Sequence, residues 1–366
     1  MHPIPIRQWG WTVPEEALVL IAGPCSAETP EQTLAACQGA ADAGACILRA
    51  GIWKPRTRPD AFPGVGEEGL PWIVEAGRQL GLPVTVEVAS ARHAELALEA
   101  GVDILWIGAR STVSPFTVQE IADALRGTDV PVLVKNPVNP DLELWIGALE
   151  RLWLSGIRRM GAIFRGFSVY KPGVYRNAPM WELPIELHRR FPSLDILCDP
   201  SHICGRRDLI PEIAQHALDL DFNGLMIETH PRPEEAWSDA AQQLSPRALL
   251  DVLHGLHRRR SSVDDPEFLA NLEALRYDID QLDEEIIRLM GQRMEVSREI
   301  GLFKRLKDVT ILQLNRWQTI YDSRILRTMQ AGLSEAFARE FIQAIHNESI
   351  RQQEEVMKQE SNRPVS

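Results

Sequence analysis

Eight short apolar runs decide how this chain folds: LVLIAGPC (18–25), CILRAG (46–51), VTVEVA (84–89), ILWIGAR (104–110), VLVKN (132–136), AIFRG (162–166), ILCDPSH (196–202) and GLMIETH (224–230). At or near their carboxyl ends stand Cys25, Arg49, Glu87, Arg110, Lys135, Arg165, His202 and Glu228. The runs are continuously apolar rather than alternating, as parallel strands covered on both faces are. Between and after them lie helix-like segments at 29–44, 67–81, 90–101, 114–127, 141–156, 179–191, 208–220 and 245–259. Several open with Ser, Thr or Asp and close with Gly, the usual start and stop chemistry of helices. Eight such units predict a (β/α)8 barrel, whose carboxyl strand ends converge on one rim and build its site. An open doubly wound sheet is the structural alternative. The eight units and the lack of a Gly-rich dinucleotide fingerprint after the first run weigh against it.

Outward from the runs, composition narrows the field. The 366 residues are 45% hydrophobic and 25% charged, the balance of a globular protein. A net charge of -12 argues against a nucleic-acid partner. No apolar run reaches the length that spans a bilayer, and MHPIPIRQWGW (1–11) lacks the apolar stretch of a secretion signal. Five scattered cysteines, Cys25, Cys37, Cys46, Cys198 and Cys204, suggest reduced thiols and a cytoplasmic location.

Beyond RRRSSVDDP (258–266) the strand pattern stops. The expected organisation is a barrel over 1–258, a linker over 259–266, a small all-α domain over 267–360 and a disordered tail over 361–366. A first long helix spans 267–305, with Leu272, Leu275, Ile279, Leu282, Ile286, Leu289, Arg293, Val296, Ile300 and Phe303 at 3–4 spacing, a seam for helix packing. Further helices are expected over 313–331 and 334–359. So long a first helix cannot bury its seam alone, which predicts a homodimer through this domain.

Two constellations mark the barrel rim. Cys25, His202 and Glu228, with Asp239 from the loop after the last run, form a mixed thiolate, imidazole and carboxylate set suited to a divalent transition metal with an open position. The bland reading makes Cys25 a small core residue and the carboxylates solvated. Arg49, Lys54, Arg56, Arg110, Lys135 and Arg165 form a cationic group that suits ligands carrying several negative charges. Salt bridges to neighbouring acids are the alternative for any one of them.

AGPCS (22–26), LRAGIWKPRT (48–57), WIGAR (106–110), PVLVKNP (131–137), FRGF (164–167), DPSH (199–202) and MIETHPRPEEAWSDAAQQL (226–244) closely resemble 3-deoxy-D-arabino-heptulosonate 7-phosphate (DAHP) synthases. The resemblance implies condensation of phosphoenolpyruvate with erythrose 4-phosphate, the first step of the shikimate pathway. It implies a metal, manganese first with zinc, iron or cobalt as alternatives, on Cys25, His202, Glu228 and Asp239. By the same resemblance Arg49, Lys54, Ala109, Arg110, Lys135 and Arg165 hold phosphoenolpyruvate, and Lys54, Pro55, Arg56 and Thr57 hold erythrose 4-phosphate. The sister family, 3-deoxy-D-manno-octulosonate 8-phosphate synthase, shares the barrel but usually lacks KPRT, so Lys54–Thr57 favour the shorter sugar. KNPVNPD (135–141) departs from many members and leaves the following loop open. Glu87 stands on the same rim, either stabilising the cationic centre and its water or bridging to a rim cation. His202 can also touch that water.

In the helical part, LRYDIDQLDEEIIRLMGQR (275–293), Lys304, Arg316 and NESIRQQ (347–353) resemble the all-helical chorismate mutases. The resemblance implies that Arg276, Arg293, Lys304, Gln313, Arg316, Ser349 and Gln353 bind chorismate and its product prephenate. Arg276 enters the partner's site in such dimers. The rearrangement needs no cofactor; Lys304 and Gln353 would stabilise the ether oxygen as its bond breaks. Gln313 and Trp317 stand where many members carry Asp and Glu. Joining a pathway's opening enzyme to one near its end suggests feedback on the synthase by prephenate or chorismate. The competing reading makes the helical domain a dimerisation or ligand-sensing module without turnover.

Overall fold

The computed structural model describes residues 1–11, 13, 18–55, 58, 60–170, 173–259 and 263–358, with backbone alone at 315 and 316. Arg56, Thr57, the side chain of Arg316 and the expected tail lie outside the described residues. The chain divides into two compact units, Met1–Ser261 and Ser262–Ser366.

The first unit is the expected barrel. Its strands are β1 (Val19–Gly23), β2 (Ile47–Ala50), β3 (Val84–Val88), β4 (Ile104–Ile107), β5 (Val132–Lys135), β6 (Met160–Phe164), β7 (Asp195–Cys198) and β8 (Gly224–Glu228). All pair in parallel in chain order, and β8 returns to β1 with Val19 opposite Gly224 and Gly23 opposite Glu228, which closes the sheet. Around it run α1 (Pro30–Asp42), α2 (Leu70–Leu80), α3 (Ala91–Glu99), α4 (Ala109–Thr112), α5 (Pro115–Ala124), α6 (Leu142–Leu154), α7 (Glu182–Arg190), α8 (Pro200–Cys204), α9 (Ile210–Asp219) and α10 (Pro246–Gly255).

Caps place these helices. The side chains of Thr29, Ser90, Ser114, Asp141 and Ser245 each accept an amide of the first turn, each typically worth about 1 kcal/mol. Strand residues divide between two buried clusters, as alternation across a covered sheet requires. Ile21, Ile47, Ile104, Trp106, Leu133, Ile163, Leu197 and Met226 pack with Ile6 and Trp9 into a strand-dominated cluster inside the barrel. Leu20, Leu48, Val86 and Val134 join helix residues such as Ile73, Leu149 and Ile213 in the outer layer.

Each apolar run ends beyond its strand, and two of them do so by more than two residues. β4 ends at Ile107 and β7 at Cys198. Asp199 then caps α8, accepting the amide of His202 at 3.1 Å, and Pro200 starts the helix without needing an amide donor. Arg110 and His202 therefore sit on short helices rather than on strands. No helix among the described residues is long and apolar enough to cross a membrane.

The second unit holds α11 (Pro266–Leu306), α12 (Leu314–Gln330) and α13 (Glu335–Lys358), close to the expected spans. Its internal packing face differs from the expected seam. Met294, Ser297 and Gly301 are the buried residues of α11, and a Cβ on Gly301 would lie 3.1 Å from the Gln353 Cα. Small residues there let α13 come close. Leu275, Ile279, Leu282, Ile286, Leu289, Val296, Ile300 and Phe303 stay 44–71% exposed. The 3–4 period located an apolar stripe correctly, but a neighbouring, smaller-residue stripe covers the in-chain contact.

Candidate active site

The barrel rim forms a polar cleft lined by Lys54, Pro55, Glu87, Ala109, Arg110, Lys135, Arg165, Arg176, His202 and Asp239. Lys135 ends β5 and Arg165 follows β6, so closure aims both inward. Gly108, just after β4, lets Glu87 approach: a Cβ there would stand 1.8 Å from Glu87 Oε1. The same turn starts α4 and presents Ala109 and Arg110.

The cations are anchored before any ligand arrives. Arg49 on β2 is buried, with a guanidinium nitrogen 3.1 Å from Glu228 Oε1 and its Cζ 4.9 Å from the Trp106 ring centre. Lys135 Nζ donates to Asp199 Oδ2 at 2.6 Å and lies 5.7 Å from the same ring centre. Arg165 donates to Asn177 Oδ1 at 2.8 Å, and its backbone amide donates to Asn136 Oδ1 at 2.7 Å. Burial lowers the pKa of Lys135, and that of Arg165 to about 10, while Asp199 opposes the shift in both. Neutralisation by acids thus accounts for Arg49 and Lys135. It does not account for everything: among the described residues the buried Nε and Nη1 of Arg49 have no hydrogen-bond partner. Such donors are costly unless an acceptor meets them.

The four expected metal donors arrive at one place in two pairs. Cys25 Sγ lies 3.6 Å from Asp239 Oδ2, and His202 Nε2 lies 3.7 Å from Glu228 Oε1. Ligands about 2.0–2.3 Å from a tetrahedral ion stand about 3.5 Å apart, so each pair has the length of a coordination edge. Among the described residues no group of three or more His, Cys, Asp or Glu converges closely enough to hold an ion as it stands. Lys54 Nζ donates to Cys25 Sγ at 3.0 Å and to Cys25 O at 2.8 Å, supplying positive charge there instead. Glu228 Oε1, although buried, makes no hydrogen bond among the described residues and meets the Arg49 guanidinium as an ion pair at 3.1 Å. Donor chemistry and the two edges fit a divalent ion.

The donors differ in their electrostatics. Burial, with Glu228 adding to it, pushes the Cys25 thiol up to about 12. Burial works against the charge of Asp239, yet Lys54 and Arg176 hold its carboxyl well below the usual range. Asp199 is held low against burial by His202 and Lys135. Burial lowers the pKa of His202 despite Asp199, which favours the neutral imidazole a metal needs.

Several participants escaped the sequence reading. Arg176 bridges Asp239 Oδ1 at 3.0 Å and Gln242 Oε1 at 2.8 Å; Gln242 in turn donates to Glu228 Oε2 at 2.7 Å. Asp199, Asn136, Asn177 and Trp106 set the cations. Asp199, Trp106 and Asn136 had a signal in DPSH, WIGAR and PVLVKNP, whereas Arg176 and Asn177 lie in none of the quoted motifs. Cys204 belongs to the buried apolar cluster.

In the helical unit, Arg293 donates to Ser349 Oγ at 2.5 Å. Gln353 is buried, and its Oε1 has no hydrogen-bond partner among the described residues. Lys304 donates to the Ile311 carbonyl at 2.5 Å, and burial lowers its pKa. Arg276 is instead exposed and paired with Glu273 at 2.6 Å. Gln313 precedes α12 as an exposed cap residue whose side chain makes no capping bond. Trp317 stacks on His346 with ring centres 3.4 Å apart.

A closed parallel barrel with buried cations beside Cys25, His202, Glu228 and Asp239 defines the first unit as a barrel protein with a charged site at its rim. The class can be made specific by comparison with known proteins. The chain belongs to the DAHP synthetase I family, whose model matches residues 12–263, and residues 275–354 match the chorismate mutase type II model. The chain is 33% identical over 225 residues to the phospho-2-dehydro-3-deoxyheptonate aldolase of Thermotoga maritima, covering 62% of this chain and 64% of that protein. It is 27% identical to a 2-dehydro-3-deoxyphosphooctonate aldolase of Dechloromonas aromatica, over 62% of this chain and 84% of that protein. The crystal structure of the Thermotoga DAHP synthase superposes with a TM-score of 0.59 at 28% identity, over 69% of this chain and 76% of that one. Both domains expected of a bifunctional shikimate-pathway enzyme are therefore present.

Proposed function

We propose that the barrel condenses phosphoenolpyruvate with D-erythrose 4-phosphate and water to give DAHP and phosphate. The observation that carries this reading is the buried Arg49, which pairs with Glu228 and keeps two guanidinium nitrogens without a hydrogen-bond partner among the described residues. Arg49, Arg110, Lys135, Arg165 and the Ala109 amide bind the phosphate and carboxylate of phosphoenolpyruvate. Lys54 and Pro55, with Arg56 and Thr57 beyond them, take the sugar phosphate. Cys25, His202, Glu228 and Asp239 would hold a divalent ion, manganese foremost. When bound, that ion supplies Lewis acidity toward the aldehyde oxygen.

The chain's own groups manage position and protons. The enol carbon of phosphoenolpyruvate forms a bond to the aldehyde carbon, and the aldehyde oxygen takes a proton. Water adds to the resulting cationic carbon and loses a proton. The C–O bond to phosphate then breaks, leaving the ketone and inorganic phosphate. Glu87 stabilises the cationic carbon, and His202 Nε2 is within reach of the water.

The helical unit would convert chorismate to prephenate as a homodimer, with Arg276 of each chain reaching its partner's site. Arg293, Arg316 and Ser349 hold the dicarboxylate, while Lys304 and Gln353 stabilise the breaking ether bond. Prephenate or chorismate bound there inhibits the synthase, in the cytoplasm. One observation favours the second reading, a dimerising or sensing module: the Trp317–His346 stack stands where an acid would bond the substrate hydroxyl.

The test is direct. Phosphate release is followed with phosphoenolpyruvate plus either erythrose 4-phosphate or arabinose 5-phosphate, and chorismate loss is followed separately. Turnover with the five-carbon sugar alone would assign the barrel to the sister reaction. Absence of chorismate loss, with prephenate still inhibiting, would establish the sensing module.

A further inference from the structure

Two rim loops carry charged groups of the site. The segment after β2 bears Lys54 and is tied at its base, Lys54 N donating to Pro63 O at 2.8 Å and Gly66 N to Ile52 O at 3.2 Å. The segment after β8 bears Asp239, held in a left-handed conformation at φ 48°. That second loop is anchored to the first strand's exit. Trp237 N donates to Glu28 Oε1 at 2.8 Å, and Glu28 Oε2 lies 3.3 Å from His230 Nε2, both side chains buried. Trp237 itself is 53% exposed. Its ring meets Phe62 edge-on, with ring centres 5.3 Å apart and planes at 83°. Edge-to-face rings attract because the positive edge of one faces the negative face of the other.

We propose that Phe62 and Trp237 form a clasp that holds residues 60–66 and the Asp239 loop as one unit, so that an ion held at Asp239 steadies residues 60–66. The proposal rests on the metal and sugar-phosphate reading of the rim. An exposed aromatic on a catalytic loop otherwise has little reason to stay out of the core. Here it has a partner on the other loop and a backbone anchor in Glu28. Trp237 is a positioning residue: it touches neither proposed substrate nor donor atoms, and acts through the backbone that presents Asp239.

Amide hydrogen exchange over residues 60–66 tests this in the full chain, with Mn2+ alone as the probe. Loss of one such ring contact shifts a local opening equilibrium about 2- to 10-fold. Without metal, Trp237→Ala should speed exchange at 60–66 by that factor, and Trp237→Phe should keep it near the parent rate. Phe62→Ala should loosen residues 233–239 in the same way. Mn2+ should slow exchange at 60–66 in the parent and in Trp237→Phe but not in Trp237→Ala. Trp237→Ala should also raise the KM for erythrose 4-phosphate and leave that for phosphoenolpyruvate unchanged. Unchanged metal-free exchange in Trp237→Ala, or equal slowing by Mn2+ without the indole, would overturn the clasp. Failure of Mn2+ to bind the parent, seen by calorimetry, would sink the metal reading instead; the metal-free comparison would still decide the contact.

Discussion

Lys135 and His202 share one carboxylate oxygen: Lys135 Nζ lies 2.6 Å and His202 Nδ1 2.7 Å from Asp199 Oδ2. A group proposed to bind phosphoenolpyruvate and one proposed to bind metal are thus oriented by the same buried acid. Asp199→Asn removes the charge that fixes the imidazole. Outer-sphere partners of this kind are worth about 10–100-fold in metal affinity. We expect that loss in Mn2+ affinity by calorimetry, together with a higher KM for phosphoenolpyruvate. An unchanged Mn2+ affinity would show that Asp199 serves the cation alone.

Chelation separates the two activities. Dialysis against EDTA should abolish DAHP formation, and Mn2+ should restore it. Chorismate turnover should persist throughout, because the helical reaction needs no ion. Persistence of DAHP synthesis after complete metal removal, verified by elemental analysis, would contradict the proposed role of the Cys25 set.

The Cys25 thiol carries its proton throughout the neutral range, pushed up to about 12 by burial and then by Glu228. A metal requires the thiolate, so uptake must expel that proton. Metal affinity should therefore weaken as pH falls, by about tenfold per unit for one released proton. Calorimetry in two buffers of different ionisation enthalpy counts the protons, and Cys25→Ser should release about one fewer.

Arg293, bonded to Ser349 in the helical unit, should be essential for turnover of chorismate. Removing one preorganised charge of this kind costs about 100–1000-fold in rate. Arg293→Ala should lose that much mutase activity and leave DAHP synthesis without effector intact. Normal mutase activity in this variant would place the mutase site elsewhere.

The exposed stripe of α11 makes the assembly testable. Ile286 is 52% exposed and Leu282 60%. Ile286→Glu should turn a dimer into a monomer in sedimentation equilibrium, with helicity retained by circular dichroism. A parent chain already monomeric at micromolar concentration would dismiss the dimer.

The barrel was legible because a strand buried on both faces cannot hide its composition, and because a parallel closure exposes its carboxyl ends together. Cys25, His202 and Glu228 were found by that logic alone. Arg176 was not, since it reaches the rim from an irregular segment with no period to read. Trp106 is a core residue, and that its ring also faces Arg49 and Lys135 follows only from the closed register. The helical seam shows the opposite limit. Periodicity found the apolar stripe of α11, but Ser297 and Gly301, small and polar or bare, mark the face that α13 actually covers.

Cys25 follows the first strand and Asp239 follows the last, with β1 and β8 paired between them. The proposed chelating centre therefore straddles the junction where the two ends of the barrel sequence meet. During synthesis a ribosome-bound chain lacks the fourth donor of that centre until residue 239 emerges. Metal loading would then report a finished cylinder, and an ion once seated would staple its first strand to its last.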